Sequence, residues 1–135
     1  MEITKIQKEV IAKIAKKYGL TLVLLFGSQA RGRTHQGSDV DIGFLSDSSM
    51  GLHEVACIEF EMAQNMKISH LELVRLAGMP SLFLQQVVRD GRVLYEDGPG
   101  AFSLFASYAF KRFVEEKPLR ALKESSLRTF SSARV

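Results

Sequence analysis

The seven residues Leu20–Phe26 (LTLVLLF) constrain this chain more than any other stretch, because they are apolar almost throughout and end abruptly at Gly27. The run is too short for a helix of its own and suits a strand buried in a sheet. Such a strand needs neighbours and covering layers, and the flanking segments supply them. Ile3, Ile6, Val10, Ile11, Ile14 and Tyr18 share one face at helical spacing, with Thr4 placed to cap the start and Lys16-Lys17 before Gly19 to mark the stop. Val40–Leu45 alternates as a second strand between the Gly37-Ser38 turn and the loop from Ser46 to Gly51.

Further along, Leu52, Val55, Ile58, Met62 and Met66 repeat at helical spacing, and His70–Leu76 reads as a third strand with Leu71 and Leu73 facing away from Glu72. Pro80 suits the first turn of a helix that runs to about Asp90 and closes at Gly91, and Arg92–Tyr95 is short enough for an edge strand. After Asp97-Gly98-Pro99-Gly100, the residues Phe102, Phe105, Ala106, Ala109, Phe110 and Phe113 make an apolar stripe on a last helix, interrupted at Pro118. The expectation is an α/β (α+β) fold in which helices cover a mixed sheet, followed by extra C-terminal helices. It divides into a domain over 1–97, a helical extension over 98–123 and a flexible Ser-rich, basic tail over 124–135.

At 135 residues the chain fits one compact domain. Its longest uninterrupted apolar run, Leu22–Phe26, falls far below the roughly 20 residues of a membrane-spanning helix, and the charged N-terminus does not resemble a signal peptide. A soluble, cytoplasmic protein with no membrane partner is expected. A single cysteine, Cys57, excludes an intrachain disulfide, and with the Met62/Met66 pair it is expected to fill the core; His53 and His70 lack metal-ligand spacing. The net charge is +3, but from Lys111 onward seven Lys/Arg stand against three Glu, a local +4 that leaves residues 1–110 at −1. The body is therefore no general polyanion binder, and direct nucleic-acid binding is not expected.

Chemistry concentrates in residues 26–44, FGSQARGRTHQGSDVDIGF. Gly27-Ser28 follows directly on the buried strand, where small residues let backbone N–H groups and a hydroxyl approach an anionic oxygen. Arg31 and Arg33 lie just beyond and supply phosphate-gripping cations. Asp39 and Asp41 alternate along a strand and so point to one face, while Val40 and Ile42 turn to the other. Two carboxylates about 5 Å apart repel by roughly 3 kcal/mol at an effective dielectric near 20. A divalent cation removes that penalty, and all-oxygen ligands favour Mg²⁺ or Mn²⁺ over zinc. The combination predicts a site for a metal–triphosphate complex.

The pattern resembles the nucleotidyltransferase superfamily that includes DNA polymerase β, and in particular its minimal (MNT) branch. The family motif is Gly-Ser, ten residues, then Asp-x-Asp; here Gly27-Ser28 and Asp39-Val40-Asp41 flank the ten residues Gln29–Ser38. Ala30-Arg31-Gly32 and Ser38-Asp39 also resemble the minimal branch, and a looser likeness runs through LELVRL and DGRVLYED. The resemblance implies a nucleotidyltransferase fold and transfer of a nucleoside monophosphate from a triphosphate such as ATP, with release of pyrophosphate. It implies that Asp39 and Asp41 hold the nucleotide-bound Mg²⁺, and that Glu72, in the position of the family's third carboxylate, helps hold a second metal or accepts the nucleophile's proton.

The resemblance further implies that another molecule completes the acceptor site. Minimal members are typically the antitoxin half of a two-component system whose partner is an all-helical HEPN ribonuclease, and the implied reaction is AMP transfer to a tyrosine of that toxin. Phe102, Phe105, Tyr108, Phe110, Phe113 and Phe130 in the basic C-terminal region are candidates for docking it. Two alternatives stand beside this expectation: an antitoxin that neutralises its partner by contact alone, and a nucleotidyltransferase acting on a small molecule or an RNA end.

Overall fold

The structure is a computed structural model, and it describes residues 2–27 and 39–133. Helix α1 (Lys5–Tyr18) begins at Thr4, whose side chain accepts from the Gln7 N–H while the Gln7 side chain accepts from the Thr4 N–H, and it closes at Gly19. Strand β1 (Leu20–Phe26) follows at once, then β2 (Val40–Ser46), α2 (Leu52–Met66), β3 (Leu71–Arg75), α3 (Ser81–Asp90), β4 (Arg92–Glu96), α4 (Ala101–Glu115) and α5 (Lys117–Ala133).

The sheet order is β3-β2-β1-β4, with β1 antiparallel to both β2 and β4 and β2 parallel to β3. The mixed direction expected from the sequence is present, and the LTLVLLF run lies in the interior of the sheet. Strand alternation divides the core into two layers. Val23, Leu25, Val40, Ile42, Phe44, Leu71 and Leu73 face α1 and α2, together with Ile11, Ile58, Met62 and Met66. Leu22, Leu24 and Phe26 face α3 and α4, together with Leu76, Leu84, Val87, Phe105 and Ala109. The edge strand β3 is partly covered on its outer side: the Leu73 N–H donates to Glu59 Oε2 of α2 at 2.8 Å.

One expectation needs correction. Cys57 does not fill the core; it is exposed, with Sγ 3.7 Å from Nε2 of the equally exposed His53 one turn earlier. The α2 stripe is carried by Ile58, Met62 and Met66, so position 57 rotates outward. The interruption expected at Pro118 is present: α4 ends at Glu115, and Pro118 lies in the first turn of α5, where a proline removes no intrahelical hydrogen bond. The backbone of residues 124–133 is part of α5, and no Gly or Pro follows Pro118 to break it.

Polar side chains brace the α4–α5 joint. The Ser81 hydroxyl donates to Glu116 Oε2, Arg112 Nη2 donates to Glu116 Oε1 at 2.9 Å, and Arg112 Nη1 donates to the Met79 carbonyl at 2.6 Å. Arg120 reaches back over the joint to the Phe113 carbonyl at 2.7 Å and lies over the Phe113 ring. Ser81 is the buried first residue of α3, so this cluster ties the C-terminal helices to the layer beneath.

Candidate active site

Strand register assembles the site. Phe26, the last residue of β1, pairs with Asp41 on β2, and Asp41 pairs with Glu72 on β3. Directly paired residues on adjacent strands share a face, so Phe26, Asp41 and Glu72 form a row across one end of the sheet. That face is the one turned to α3 and α4, because Leu24 and Phe26 pack there while Val40 and Ile42 pack on the other side. Asp39 stands at the entrance to β2, one step before its first strand residue, and is exposed.

The turn after β1 is shaped around this row. Gly27 has φ +76°, and a Cβ built there would lie 2.5 Å from Asp41 Oδ2. Only a residue without a side chain lets the backbone come so close to the carboxylate. Asp41 is partly buried by this contact. Burial first, then the negative charges of Glu72 and Asp39, raise its pKa above the ordinary aspartate value. An acidic site strained in this way is relieved by a bound cation.

The donor chemistry fits a hard divalent ion: Asp39, Asp41 and Glu72 offer oxygen only. Among the described residues, no three His, Cys, Asp or Glu side chains gather into a metal-holding group. Glu72 lies in the same row as Asp41, and the charges of Glu72 and Asp39 both act on Asp41. Gly27 is in place beside Asp41, whereas Ser28, Arg31, Arg33 and Ser38 lie outside the described residues, as does His35.

One feature is absent from the motif. On the β1 side of Asp41, Phe26, Gly27, Phe83, Gln86 and Asp90 line a recess of about 170 Å³. The Phe26 and Phe83 rings meet edge to face, with centroids 5.6 Å apart and planes at 89°. Phe83, Gln86 and Asp90 recur at i, i+3 and i+7 along α3, beside the stripe of Leu84 and Val87 that packs into the core. That spacing is the only trace of the recess in the sequence.

Comparison with known proteins agrees with this geometry. The family described as polymerase beta, nucleotidyltransferase matches residues 9–99. Protein adenylyltransferase MntA of Shewanella oneidensis is 35% identical over 79 residues, 56% of this chain and 54% of that one, so the match spans about half the length of this curated relative. A solved toxin–antitoxin with AMP-PNP aligns at 24% identity with a TM-score of 0.74, covering 89% of this chain and 98% of that one. A complex of a tri-AMPylated Shewanella oneidensis HEPN toxin with an MNT antitoxin aligns at 22% identity with a TM-score of 0.68, covering 90% and 96%. At these identities the structural likeness establishes the fold. The motif spacing, the carboxylate row at the end of a mixed sheet and a family match over most of the chain lead to one assignment: the chain belongs to the polymerase β nucleotidyltransferase family.

Proposed function

We propose that this protein is a Mg²⁺-dependent nucleotidyltransferase that moves AMP from ATP to a protein acceptor, a tyrosine of a HEPN-type ribonuclease toxin, and thereby acts as its antitoxin in the cytoplasm. The observation that carries this reading is the row of Asp41 and Glu72 beside Gly27, with Asp39 at the entrance to the same strand. Support comes from the relative named as a protein adenylyltransferase, from the relative solved with AMP-PNP and from the one solved with an AMPylated HEPN toxin.

In this reading Asp39 and Asp41 hold the metal–triphosphate, Glu72 serves as a further ligand or as base, and Gly27, Ser28, Arg31, Arg33 and Ser38 receive the phosphate oxygens. When bound, Mg²⁺ neutralises the phosphates and steadies the charge that develops on the leaving pyrophosphate. The acceptor's phenolic oxygen forms a bond to the α-phosphorus while the bond from that phosphorus to the α–β bridging oxygen breaks. The phenolic proton passes to Glu72, and pyrophosphate leaves with the bridging oxygen. A carboxylate base two strands from β1 leaves the acceptor to approach along the β3 edge.

The test is transfer of label from α-labelled ATP to a cognate HEPN-type toxin. Transfer is expected with the wild type and lost with Asp39→Asn or Asp41→Asn; undiminished labelling by both variants would rule the reading out. Glu72, a glutamate where the third carboxylate of the family is usually an aspartate, favours one second reading, neutralisation by contact alone. Protection of cells by the double Asn variant, with no label transfer by the wild type, would establish it.

A further inference from the structure

The strand that carries Glu72 is preceded by a second polar side chain, His70, on the same face of the sheet. Resting on the reading that Glu72 takes the proton of an acceptor tyrosine, we infer that His70 packs against the ring of that tyrosine and so selects a phenolic acceptor over an aliphatic hydroxyl.

Strand geometry places His70. The Val40 N–H donates to the His70 carbonyl at 2.7 Å, so the ladder between β2 and β3 extends one residue before Leu71. His70 and Glu72 are two apart on that ladder and share the face turned to α3 and α4, while Leu71 and Leu73 pack on the other side. Because Val40 pairs with Leu71, Asp39 stands opposite His70 just as Asp41 stands opposite Glu72. The link from α2 to β3 is held at both ends: the Lys67 N–H donates to the Gln64 carbonyl at 3.2 Å and the Ile68 N–H to the Ala63 carbonyl at 2.9 Å. His70 therefore projects from a fixed backbone, which a residue that orients a substrate requires.

The surroundings of Glu72 set the direction of approach. Beyond it along β3, Val74 packs into the layer of Leu76, Leu84 and Phe105 beneath α3 and α4. Before it, Ser69 and His70 are exposed, as is Glu72 itself. On the β2 side stands Asp41, which in the same reading faces the metal–triphosphate. An acceptor arriving along the β3 edge thus reaches Glu72 from the end where His70 stands. Two strand residues span about 6.8 Å. A tyrosine whose oxygen meets Glu72 accordingly has its ring beside the imidazole, within the roughly 4.5–7 Å at which flat rings pack. A serine or threonine hydroxyl brings no ring to that contact and gains nothing from it.

Label transfer from α-labelled ATP, measured against the concentration of the cognate toxin, tests the inference on the full chain, with calorimetry of Mg²⁺ and ATP beside it. His70 is exposed, so its replacement leaves the core untouched. His70→Ala is expected to raise the KM for the toxin about five- to tenfold, with Mg–ATP affinity unchanged. His70→Phe, which keeps a ring, should restore most of the loss, whereas His70→Gln, which keeps only a hydrogen-bonding edge, should not. A wild-type KM in His70→Ala, or rescue by Gln and not by Phe, overturns the inference and leaves the transfer reading standing. Weaker Mg–ATP binding by His70→Ala also overturns it, because the imidazole would then serve the nucleotide. Absence of labelling by the wild type overturns the transfer reading and the inference with it.

Discussion

Gly27 and Asp41 occupy complementary space: the turn that ends β1 presses its backbone against the carboxylate, and a Cβ at position 27 would stand 2.5 Å from Asp41 Oδ2. The glycine is therefore part of how the acid is held as well as of how the chain turns. Gly27→Ala meets two penalties, a left-handed backbone conformation at about 1 kcal/mol and displacement of Asp41. The expected result is a lower urea midpoint with unchanged slope, together with weaker Mg–ATP binding. Wild-type affinity in a measurably destabilised variant would separate the turn from the site.

Under the proposed function, Asp41 links stability to activity with opposite signs. Burial and the nearby carboxylates raise its pKa in the folded state, so folding favours the protonated form. The stability this contributes is fully present below the ordinary aspartate pKa and is lost as pH rises through the raised folded value. At neutral pH the ionised carboxylate is thus a burden on the fold without metal. Asp41→Asn should melt higher than the wild type at pH 7, with the difference shrinking as pH falls through the raised folded value, while label transfer falls by about 100-fold or more. A variant that loses activity and also melts lower at pH 7 would contradict this account.

Glu116 carries the opposite sign. The Ser81 hydroxyl, and after it Arg112, hold its pKa below the ordinary glutamate value. Its contribution is present above that ordinary value and is lost as pH falls through the lowered one. Amide exchange in the first turns of α5 should accelerate several-fold in Glu116→Ala at neutral pH, and acidification should bring the wild type toward the variant. Because this cluster lies at the α4–α5 joint, protection in β1 and β2 should not change.

The sequence discloses most of this fold because its local signals are unambiguous. Thr4 with Gln7 and Gly19 delimit α1, and LTLVLLF bounded by Gly27 reproduces the whole of β1. The pairing of Asp41 with Glu72 was legible only through family resemblance, since the parallel register of β2 and β3 depends on α2 crossing between them. Phe83, Gln86 and Asp90 escaped notice because two polar residues beside an apolar stripe look like any solvated helix flank; their meaning depends on β1 ending opposite them. Cys57 misleads for a related reason, as its neighbours Val55 and Ile58 suggest a broader buried stripe than α2 has.

The last prediction concerns what fixes β2 beneath the site. Gly43 lies two residues after Asp41 on the same face, and a Cβ there would meet the Leu76 side chain at 2.8–3.0 Å. Leu76 is fully buried among Leu84, Val87 and Phe105, so it has little room to retreat. Gly43→Ala should therefore destabilise the protein by about 1–3 kcal/mol through overpacking. Leu76→Ala should cost about 2–5 kcal/mol through the cavity it opens. Since the added methyl group enters the space the leucine vacates, the double variant should be more stable than the two losses combined predict, by about 1 kcal/mol or more. Strict additivity in a urea double-mutant cycle would show that the two positions do not compete for one volume.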